Sequence, residues 1–378
     1  MQPARGRKSP TWSPGSARRS RNPLNLFEAL HNRPVLLALP LVVMLIAAAV
    51  LARAMGAGGV SARPLASSLD KGEVHSPAKV APTSVPTPVP TPDPSIRPVI
   101  NKVMPPVANH GPAPVRKPGV SDPNPSTNHV IVVDGESGTV LFQRNAGEPV
   151  APASLTKIMT AIVAMERGNP SDHVAIKVDA RQMAGDSLMG LQPGFDVTFK
   201  DLLYGLLLPS GDDAALAIAD YIAGDEQKFV GLMNEKAQWL GLKDTHFADS
   251  HGLDAPGHYS SPADMVTMAR YAMQYPEFRK IVRTKSYHIA ESNISYTIFN
   301  VNPLLGQYPG LDGVKTGLTD NAGKALVATA VQNGHRIYVA YMRSKTGALG
   351  DGTMLLNWAF DSFTWPSGAS GESGSANQ

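Results

Sequence analysis

Residues 152–161 read PASLTKIMTA, and the serine and lysine of this stretch indicate both a fold and a chemistry. Apolar residues recur at helical spacing from Leu155 to Met165, which predicts a helix. Residues three apart share one face of a helix, so the Lys157 amine is expected on the same face as Ser154, with the two Cβ atoms about 5–6 Å apart. A lysine there can be the base that a serine nucleophile needs, because burial and a helix N-terminus both disfavour its cationic form.

A second polar interruption lies in the run LLLPSGDDAALAIA, residues 206–219. Ser210, Gly211 and Asp212 stand between two helical patterns, where a short turn can direct side chains into a cleft. This stretch alone is compatible with a simple helix boundary.

A third motif, Lys315-Thr316-Gly317, is predicted at the start of a strand. A cation and a hydroxyl together can hold a carboxylate, and a glycine lets a substrate lie against the strand edge. Like the serine–lysine spacing, such a triplet occurs often by chance.

The three motifs in this order are far more specific than any one of them, and they resemble the signature set of penicillin-binding proteins and serine β-lactamases. The surrounding text is similar to the low-molecular-mass serine D-Ala-D-Ala carboxypeptidases, peptidase family S11. The stretches that carry the resemblance are PASLTKIMTA, LLLPSGDDAA, MNEKAQWLGLKDTHFADSHGLD, HYSSPADM and GLDGVKTGLTDNAGKALVATA. The resemblance covers residues 128–360 and implies an α+β domain of the penicillin-binding-protein/β-lactamase type.

The resemblance also implies roles for the motif residues. Ser154 would attack the carbonyl between the two terminal D-alanines of a peptidoglycan stem peptide, Lys157 would take its proton, and Ser210 would relay it to the leaving D-alanine. The oxyanion hole would be the backbone N–H groups of Ser154 and of the residue after the triplet. β-Lactams would acylate the same serine, and no cofactor is implied. The substrate-binding residues would be Asp212, Lys315, Thr316, Gly317 and Leu318.

Asp212 departs from the family pattern, which commonly has asparagine there. An amide both donates and accepts hydrogen bonds, whereas an ionised carboxylate only accepts. Asp212 is expected to pair with Lys157 or Lys315 and raise the pKa of that lysine, unless it is protonated in a dry site and donates instead. This departure bears on rate and specificity more than on reaction class.

The order of patterns agrees with an α+β fold, an antiparallel sheet with a helical cluster beside it. Two β-rich runs, 129–134 and 139–143, predict a hairpin, and four β-rich runs follow Tyr287. Further helices are predicted over 199–207, 213–223 and 226–240, then after Ser261 as N-cap with Pro276 as the end of that helix, and over 351–363.

The N-terminal third has a different composition. Residues 1–33 carry seven Lys/Arg against one acid, so the net charge of +3 leaves the rest of the chain at −3 and implies no nucleic-acid surface. Residues 34–54 begin with nineteen uncharged positions and are predicted to be a transmembrane anchor, with the basic segment in the cytoplasm. A cleaved signal peptide is the alternative. Residues 55–126 hold 16 prolines, from Pro64 to Pro125, and are predicted to be a disordered linker.

The catalytic domain is expected over 127–365, followed by a polar, disordered tail at 366–378. Family members commonly carry a C-terminal amphipathic membrane helix, which this polar tail does not resemble, so the N-terminal segment is expected to be the anchor. The domain is expected on the extracytoplasmic side of a bacterial membrane, or secreted if the N-terminal segment is cleaved. The chain has no cysteine, which excludes disulfides and thiolate metal sites.

Other functional interpretations share parts of this sequence. His246, Asp249, His251 and His258 suggest zinc, but their spacing fits no standard site. A β-lactamase would need a deacylating carboxylate motif that is not evident. DD-endopeptidase or transpeptidase activity on the same scaffold stays open, as does a non-catalytic peptidoglycan-binding protein disabled by the acid in the middle motif.

Overall fold

A computed structural model describes residues 93–183 and 187–366 and shows an α+β domain. The helices in these ranges are α1 Lys157–Arg167, α2 Phe199–Leu207, α3 Asp212–Ala223, α4 Glu226–Trp239, α5 Pro262–Ala272, α6 Pro276–Val282 and α7 Thr353–Ser362. The strands are β1 Val115–Arg116, β2 His129–Asp134, β3 Val140–Arg144, β4 His173–Ala175, β5 Asp196–Thr198, β6 Ser286–Glu291, β7 Ile294–Phe299, β8 Leu311–Thr319, β9 Gly323–Gln332, β10 His335–Ser344 and β11 Phe363–Thr364. Short helical turns occur at Ala153–Thr156, Ala180–Gln182 and Ala348–Gly352.

The central sheet is antiparallel, with five strands in the order β3-β2-β10-β9-β8. Successive residues of β2 point to opposite faces: Val130 and Val132 pack with α7, whereas Ile131 and Val133 pack with the helical cluster. Because both faces are covered, β2 is a continuous apolar run. The predicted α+β class, with an antiparallel sheet beside a helical cluster, is confirmed. Strand β8 ends the order, so one of its edges has no partner strand among residues 93–183 and 187–366.

The helical cluster surrounds α1, in which ten consecutive residues from Lys157 to Glu166 are buried. The predicted start of α5 is confirmed, because the Ser261 side chain accepts from the backbone N–H three residues later and a proline occupies the first turn. Pro276 was expected to end this helix. Instead α5 ends at Ala272 and Pro276 begins α6, since the fixed φ and missing N–H of proline suit a first helical turn.

The segment 93–126 contacts the domain, whereas the sequence predicts it to be disordered together with the rest of 55–126. Arg97 Nε donates to a backbone carbonyl of α3 (2.9 Å), and the Asn101 amide donates to two carbonyls at the C-terminal end of α1 (2.7 and 2.8 Å). Strand β1 pairs with β11. The structure therefore differs from the prediction over 93–126, because these long-range hydrogen bonds offset the entropy cost of ordering an extended, proline-rich chain.

The predicted basic segment 1–33, the transmembrane helix 34–54, the first part of the linker and nearly all of the tail 366–378 lie outside the described residues. In the ranges 93–183 and 187–366, no helix combines the length and the apolar character needed to cross a membrane.

Candidate active site

Ser154 lies in the short helical turn Ala153–Thr156, which leads directly into α1. The preceding Ala153 has φ of 51°, a left-handed conformation that a side chain makes unfavourable and that is frequent at functional sites. The Thr156 hydroxyl donates to the Ala153 carbonyl at 2.9 Å and helps to hold this turn. The half-buried Ser154 is thereby presented at the head of α1.

The Lys157 amine is fully buried and contacts three acceptors. Nζ donates to Ser154 Oγ at 3.0 Å, to Asp212 Oδ1 at 2.5 Å and to the His251 carbonyl at 2.6 Å. These three acceptors match the three N–H bonds of an ammonium. Burial lowers the pKa of Lys157 from its ordinary value, and the Asp212 carboxylate opposes that lowering. Of the two lysines that the sequence offered as partners of Asp212, the structure pairs it with Lys157.

Two adjacent acids begin α3, and they have different contacts. Asp212 faces Lys157, and its backbone N–H donates to the Ser187 carbonyl at 2.8 Å. The Asp213 carboxylate accepts from three successive backbone N–H groups at residues 189–191 (2.7–2.9 Å), which ties this loop to α3. Sequence reasoning assigned Asp213 no role. Both carboxylates are favoured at a helix N-terminus by the helix dipole.

Ser210 lies directly before this helix start and is buried, with a left-handed φ of 70°. Within the part of the chain that the structure describes, its hydroxyl has no hydrogen-bond partner. An unpaired buried hydroxyl is costly, which makes Ser210 Oγ a group available to a ligand. Ser210 thus lies two residues before the Asp212 that contacts Lys157, and it has no hydrogen bond to either lysine.

The triplet Lys315-Thr316-Gly317 lies in the second half of β8, not at a strand start as predicted, because the strand begins four residues earlier at Leu311. A Cβ built on Gly317 would lie 3.0 Å from Ala153 Cβ and 3.2 Å from the Ser154 backbone nitrogen. The missing side chain therefore lets the β8 edge approach the turn Ala153–Thr156, which is called the nucleophile turn below.

The buried Lys315 amine donates to the Thr316 carbonyl at 2.9 Å. Burial, assisted by the charge of Lys157, lowers the pKa of Lys315 well below its ordinary value. The Leu318 side chain is exposed, which leaves the strand edge at this point open to solvent. An anion that enters here meets a desolvated amine to which no carboxylate of the described residues is hydrogen-bonded, and it would favour the protonated form of that amine.

The loop around residues 249–252 completes the wall beside α1, and sequence reasoning missed its role. Gly252 has φ of 99°, and a Cβ there would fall 2.0 Å from the Ala153 carbonyl oxygen. This close approach brings the His251 carbonyl to Lys157. Asp249 Oδ1 accepts from the His251 backbone N–H at 3.0 Å and fixes the loop. The available signal in the sequence was Gly252, a glycine that lies between Asp249 and Asp254.

His258 contacts the nucleophile turn through the Thr156 hydroxyl. The Ala248 backbone N–H donates to His258 Nδ1 at 3.0 Å, so the neutral ring carries its proton on Nε2 and donates to Thr156 Oγ1 at 2.7 Å. The threonine hydroxyl then donates to the Ala153 carbonyl. Burial lowers the pKa of His258, which favours this neutral form.

Three of the four residues considered for zinc are thus used in other ways. His258 spends both ring nitrogens on protein hydrogen bonds. The exposed His246 bonds the Gly257 carbonyl through Nδ1 at 2.7 Å. Asp249 supports the backbone of its own loop.

The site as a whole has the parts needed for acyl transfer. A serine hydroxyl touches a buried lysine, an unpaired serine hydroxyl precedes by two residues the carboxylate bound to that lysine, and a lysine and threonine precede a glycine on strand β8. These groups can activate a nucleophile, stabilise an oxyanion and hold a carboxylate.

Comparison with known proteins gives a consistent result. The family model of D-alanyl-D-alanine carboxypeptidase, peptidase S11, matches residues 117–346. The chain is 36% identical over 241 residues to DacF of Bacillus subtilis, covering 62% of this chain and 62% of the relative. It is 40% identical over 260 residues to DacA of Escherichia coli, covering 65% and 63%. The chain therefore spans slightly less than two thirds of the length of these relatives.

Solved structures are similar at a comparable level. The Streptomyces K15 DD-transpeptidase matches with a TM-score of 0.60 and 32% identity, covering 64% of this chain and 100% of that one. Penicillin binding protein 5 from Haemophilus influenzae matches with a TM-score of 0.60 and 34% identity, covering 64% and 73%. With its family model matched over more than half of its length, the chain belongs to the D-alanyl-D-alanine carboxypeptidase family of serine peptidases, peptidase S11.

Proposed function

We propose that this protein is a serine-type D-Ala-D-Ala carboxypeptidase that removes the terminal D-alanine from peptidoglycan stem pentapeptides. The observation that carries the proposal is the contact of Ser154 Oγ with the buried Lys157 amine, opposite the open edge of β8 with Lys315. Family membership and the names of the curated relatives support the same activity.

The proposed reaction uses these groups in turn. Neutral Lys157 takes the proton of Ser154 Oγ, and the oxygen forms a bond to the carbonyl carbon between the two D-alanines. The resulting oxyanion is held by the backbone N–H groups of Ser154 and Leu318, each donor contributing about 3 kcal/mol to the transition state. Ser210 gives its hydroxyl proton to the leaving amine and takes up in return the proton held by Lys157, the C–N bond breaks, and D-alanine departs. Water then hydrolyses the acyl-enzyme.

The carboxylate of the leaving D-alanine is proposed to bind Lys315 and Thr316. An incoming carboxylate supplies the opposite charge that the buried lysine lacks, so binding and protonation of Lys315 favour each other. β-Lactams, which mimic the terminal dipeptide, are proposed to acylate the same serine and to persist as covalent inhibitors.

The direct test is release of free D-alanine from a synthetic stem pentapeptide by the full-length protein, measured by chromatography. We expect one D-alanine and one tetrapeptide per turnover. Transpeptidation is the second candidate, because the matched Streptomyces structure is a DD-transpeptidase. Addition of an amine acceptor separates the two: a new peptide bond indicates transpeptidation, and unchanged tetrapeptide yield indicates hydrolysis. Absence of D-alanine release with and without the acceptor would contradict both.

In the Asp212→Asn variant, labelled penicillin is expected to acylate Ser154 about tenfold faster than in the wild type near neutral pH. The carboxylate raises the pKa of Lys157, so its removal lowers that pKa and leaves more neutral amine to act as base. The acylation rate is expected to increase as the pH passes through the pKa of Lys157. In the variant this increase should occur at lower pH. Asp220→Asn alters a half-buried acid on the same helix, paired with Lys177, and is the matched control. A slower variant would show that the carboxylate itself is needed.

His258→Ala is expected to slow acylation by about tenfold while substrate affinity changes little, because the turn that aims Ser154 loses a support worth about one hydrogen bond. Thr156→Val should reproduce this effect, since it breaks the same chain of hydrogen bonds. His246→Ala alters an exposed histidine of the same loop and should leave the rate unchanged. Equal losses of affinity and rate in the first two variants would contradict a positioning role.

We further propose that residues 34–54 anchor the protein in the membrane and that the domain acts on the extracytoplasmic side. The uncharged run, its basic N-terminal flank and the proline-rich spacer after it support this arrangement. The full chain should sediment with membranes and should not be extracted from them by high salt. Deletion of residues 34–54 should move the protein to the supernatant. A mature N-terminus after residue 54 would indicate cleavage instead.

A further inference from the structure

A second polar cavity lies toward the other end of β8 from the triplet. It has a volume of about 350 Å³ and lies where α5, α6 and the first residues of β8 and β10 meet. Asp312 borders it, three residues before Lys315, so the two sites are separated by about 10 Å along the strand. Four arginines line this cavity, which is called the arginine cavity below: Arg270, Arg279, Arg283 and Arg336.

The charges of the arginine cavity do not balance. Asp312 is its one carboxylate and is engaged by Arg336 in a two-pronged ion pair, with N–O distances of 2.9 and 2.8 Å. Within the described ranges, the other three arginines form no ion pair within 4.0 Å. The described residues therefore place no carboxylate in close contact with these three guanidinium groups, although Asp134 attracts Arg270 from beyond that distance.

Two of the remaining guanidinium groups donate hydrogen bonds to neutral acceptors of the described residues. Arg270 donates to the Asn109 side-chain oxygen at 2.9 Å and to the Gly135 carbonyl at 3.0 Å. Arg279 donates to the Met273 carbonyl at 2.6 Å. These contacts hold the groups in place around the cavity and leave their charge available to a ligand.

Arg270 is also partly removed from solvent. Its Nε atom is buried and has no hydrogen-bond partner among the described residues. Burial lowers the pKa of this guanidinium from its ordinary value. A desolvated cation with an unused donor costs free energy unless an anion compensates it. Ordinary surface arginines, which water solvates fully, do not carry this cost.

We propose that the arginine cavity binds a phosphate-bearing ligand, with Arg270, Arg279 and Arg283 supplying the charge. Guanidinium forks match phosphate oxygens in geometry, and three free cations suit a dianionic phosphomonoester better than a single carboxylate. The volume falls in the range of small-molecule sites and leaves space for an organic group attached to the phosphate. The site is independent of the proposed peptidase chemistry.

The test is calorimetric titration of the full-length protein in detergent micelles with three probes: inorganic phosphate, glycerol 3-phosphate and a short-chain phosphatidic acid. We expect saturable 1:1 binding of at least one probe. Arg283→Gln removes an exposed side chain for which the structure records no hydrogen bond, so folding should be unaffected, and binding should weaken about tenfold. Arg279→Gln/Arg283→Gln should weaken it further.

Lys280→Gln is the matched control, since this exposed lysine is on the same helix, carries the same charge and does not line the cavity. Penicillin acylation, expected unchanged in all variants, reports that each is folded. Preference for the phosphatidic acid would assign the ligand to a lipid, and preference for the other two probes to a soluble phosphate. Lack of saturable binding of all three, equal weakening by Lys280→Gln, or unchanged binding in the double variant would overturn the proposal.

Discussion

Replacing Ser154 by alanine is expected to lower D-alanine release from a stem pentapeptide by at least about 10⁴-fold. The change removes Ser154 Oγ, the atom that contacts Lys157 Nζ, and leaves the β8 edge intact. The peptide should therefore still bind, with an affinity within a few-fold of that of the wild type. Steady-state release and equilibrium binding of the same pentapeptide separate these two effects.

Ser210→Ala is the informative comparison for that experiment. Its hydroxyl is unpaired in the described structure and is proposed to relay a proton, so its removal should reduce the rate by about 10²-fold, less than loss of the nucleophile. A larger loss for Ser210→Ala than for Ser154→Ala would reverse the proposed roles of the two serines.

Replacing Lys157 by methionine is expected to reduce penicillin acylation by about 10³-fold, because Ser154 loses its base. The same change should also destabilise the domain by about 3–5 kcal/mol, since it leaves the buried Asp212 carboxylate without its cation. Acylation kinetics and thermal unfolding measure the two consequences separately.

The double variant Lys157→Met/Asp212→Asn distinguishes the catalytic loss from the loss of stability. It removes both buried charges, so most of the lost stability should return while acylation stays slow. Recovery of acylation along with stability would show that Lys157 acts as a structural cation and not as the base.

Much of the fold could be predicted because local patterns and tertiary packing agree. The run at 129–134 is apolar on both faces since α7 covers one and the helical cluster the other. The helix after Ser154 has its apolar spacing because nearly the whole of it is core. Family resemblance pointed to Ser154 and Lys157 as the candidate nucleophile and base, and the structure shows their contact at 3.0 Å.

Other features depend on contacts between distant residues, which no local pattern reveals. The His251 carbonyl reaches Lys157 across 94 positions, and the His258 ring reaches Thr156 across 102. Neither depends on a motif: the first uses a backbone group, and the second a histidine that looked like a metal ligand. Residues 93–126 resembled a linker by composition, and their hydrogen bonds to helices and the pairing of β1 with β11 distinguish them from one.

Asp212 shows how a sequence question becomes a physical one. The carboxylate lies 2.5 Å from the amine that the proposed mechanism needs in its neutral form. A non-catalytic peptidoglycan-binding protein is the interpretation that follows if this ion pair is permanent. Burial opposes it, since desolvation lowers the pKa of Lys157 more than the carboxylate raises it.

The most direct test of a serine acyl-transfer site is peptide mapping by mass spectrometry after incubation of the full-length protein with benzylpenicillin across pH 5–9. We predict one adduct, carried by the peptide that contains Ser154 and increasing in rate with pH. An adduct on another residue, or no adduct at any pH in this range, would contradict the account.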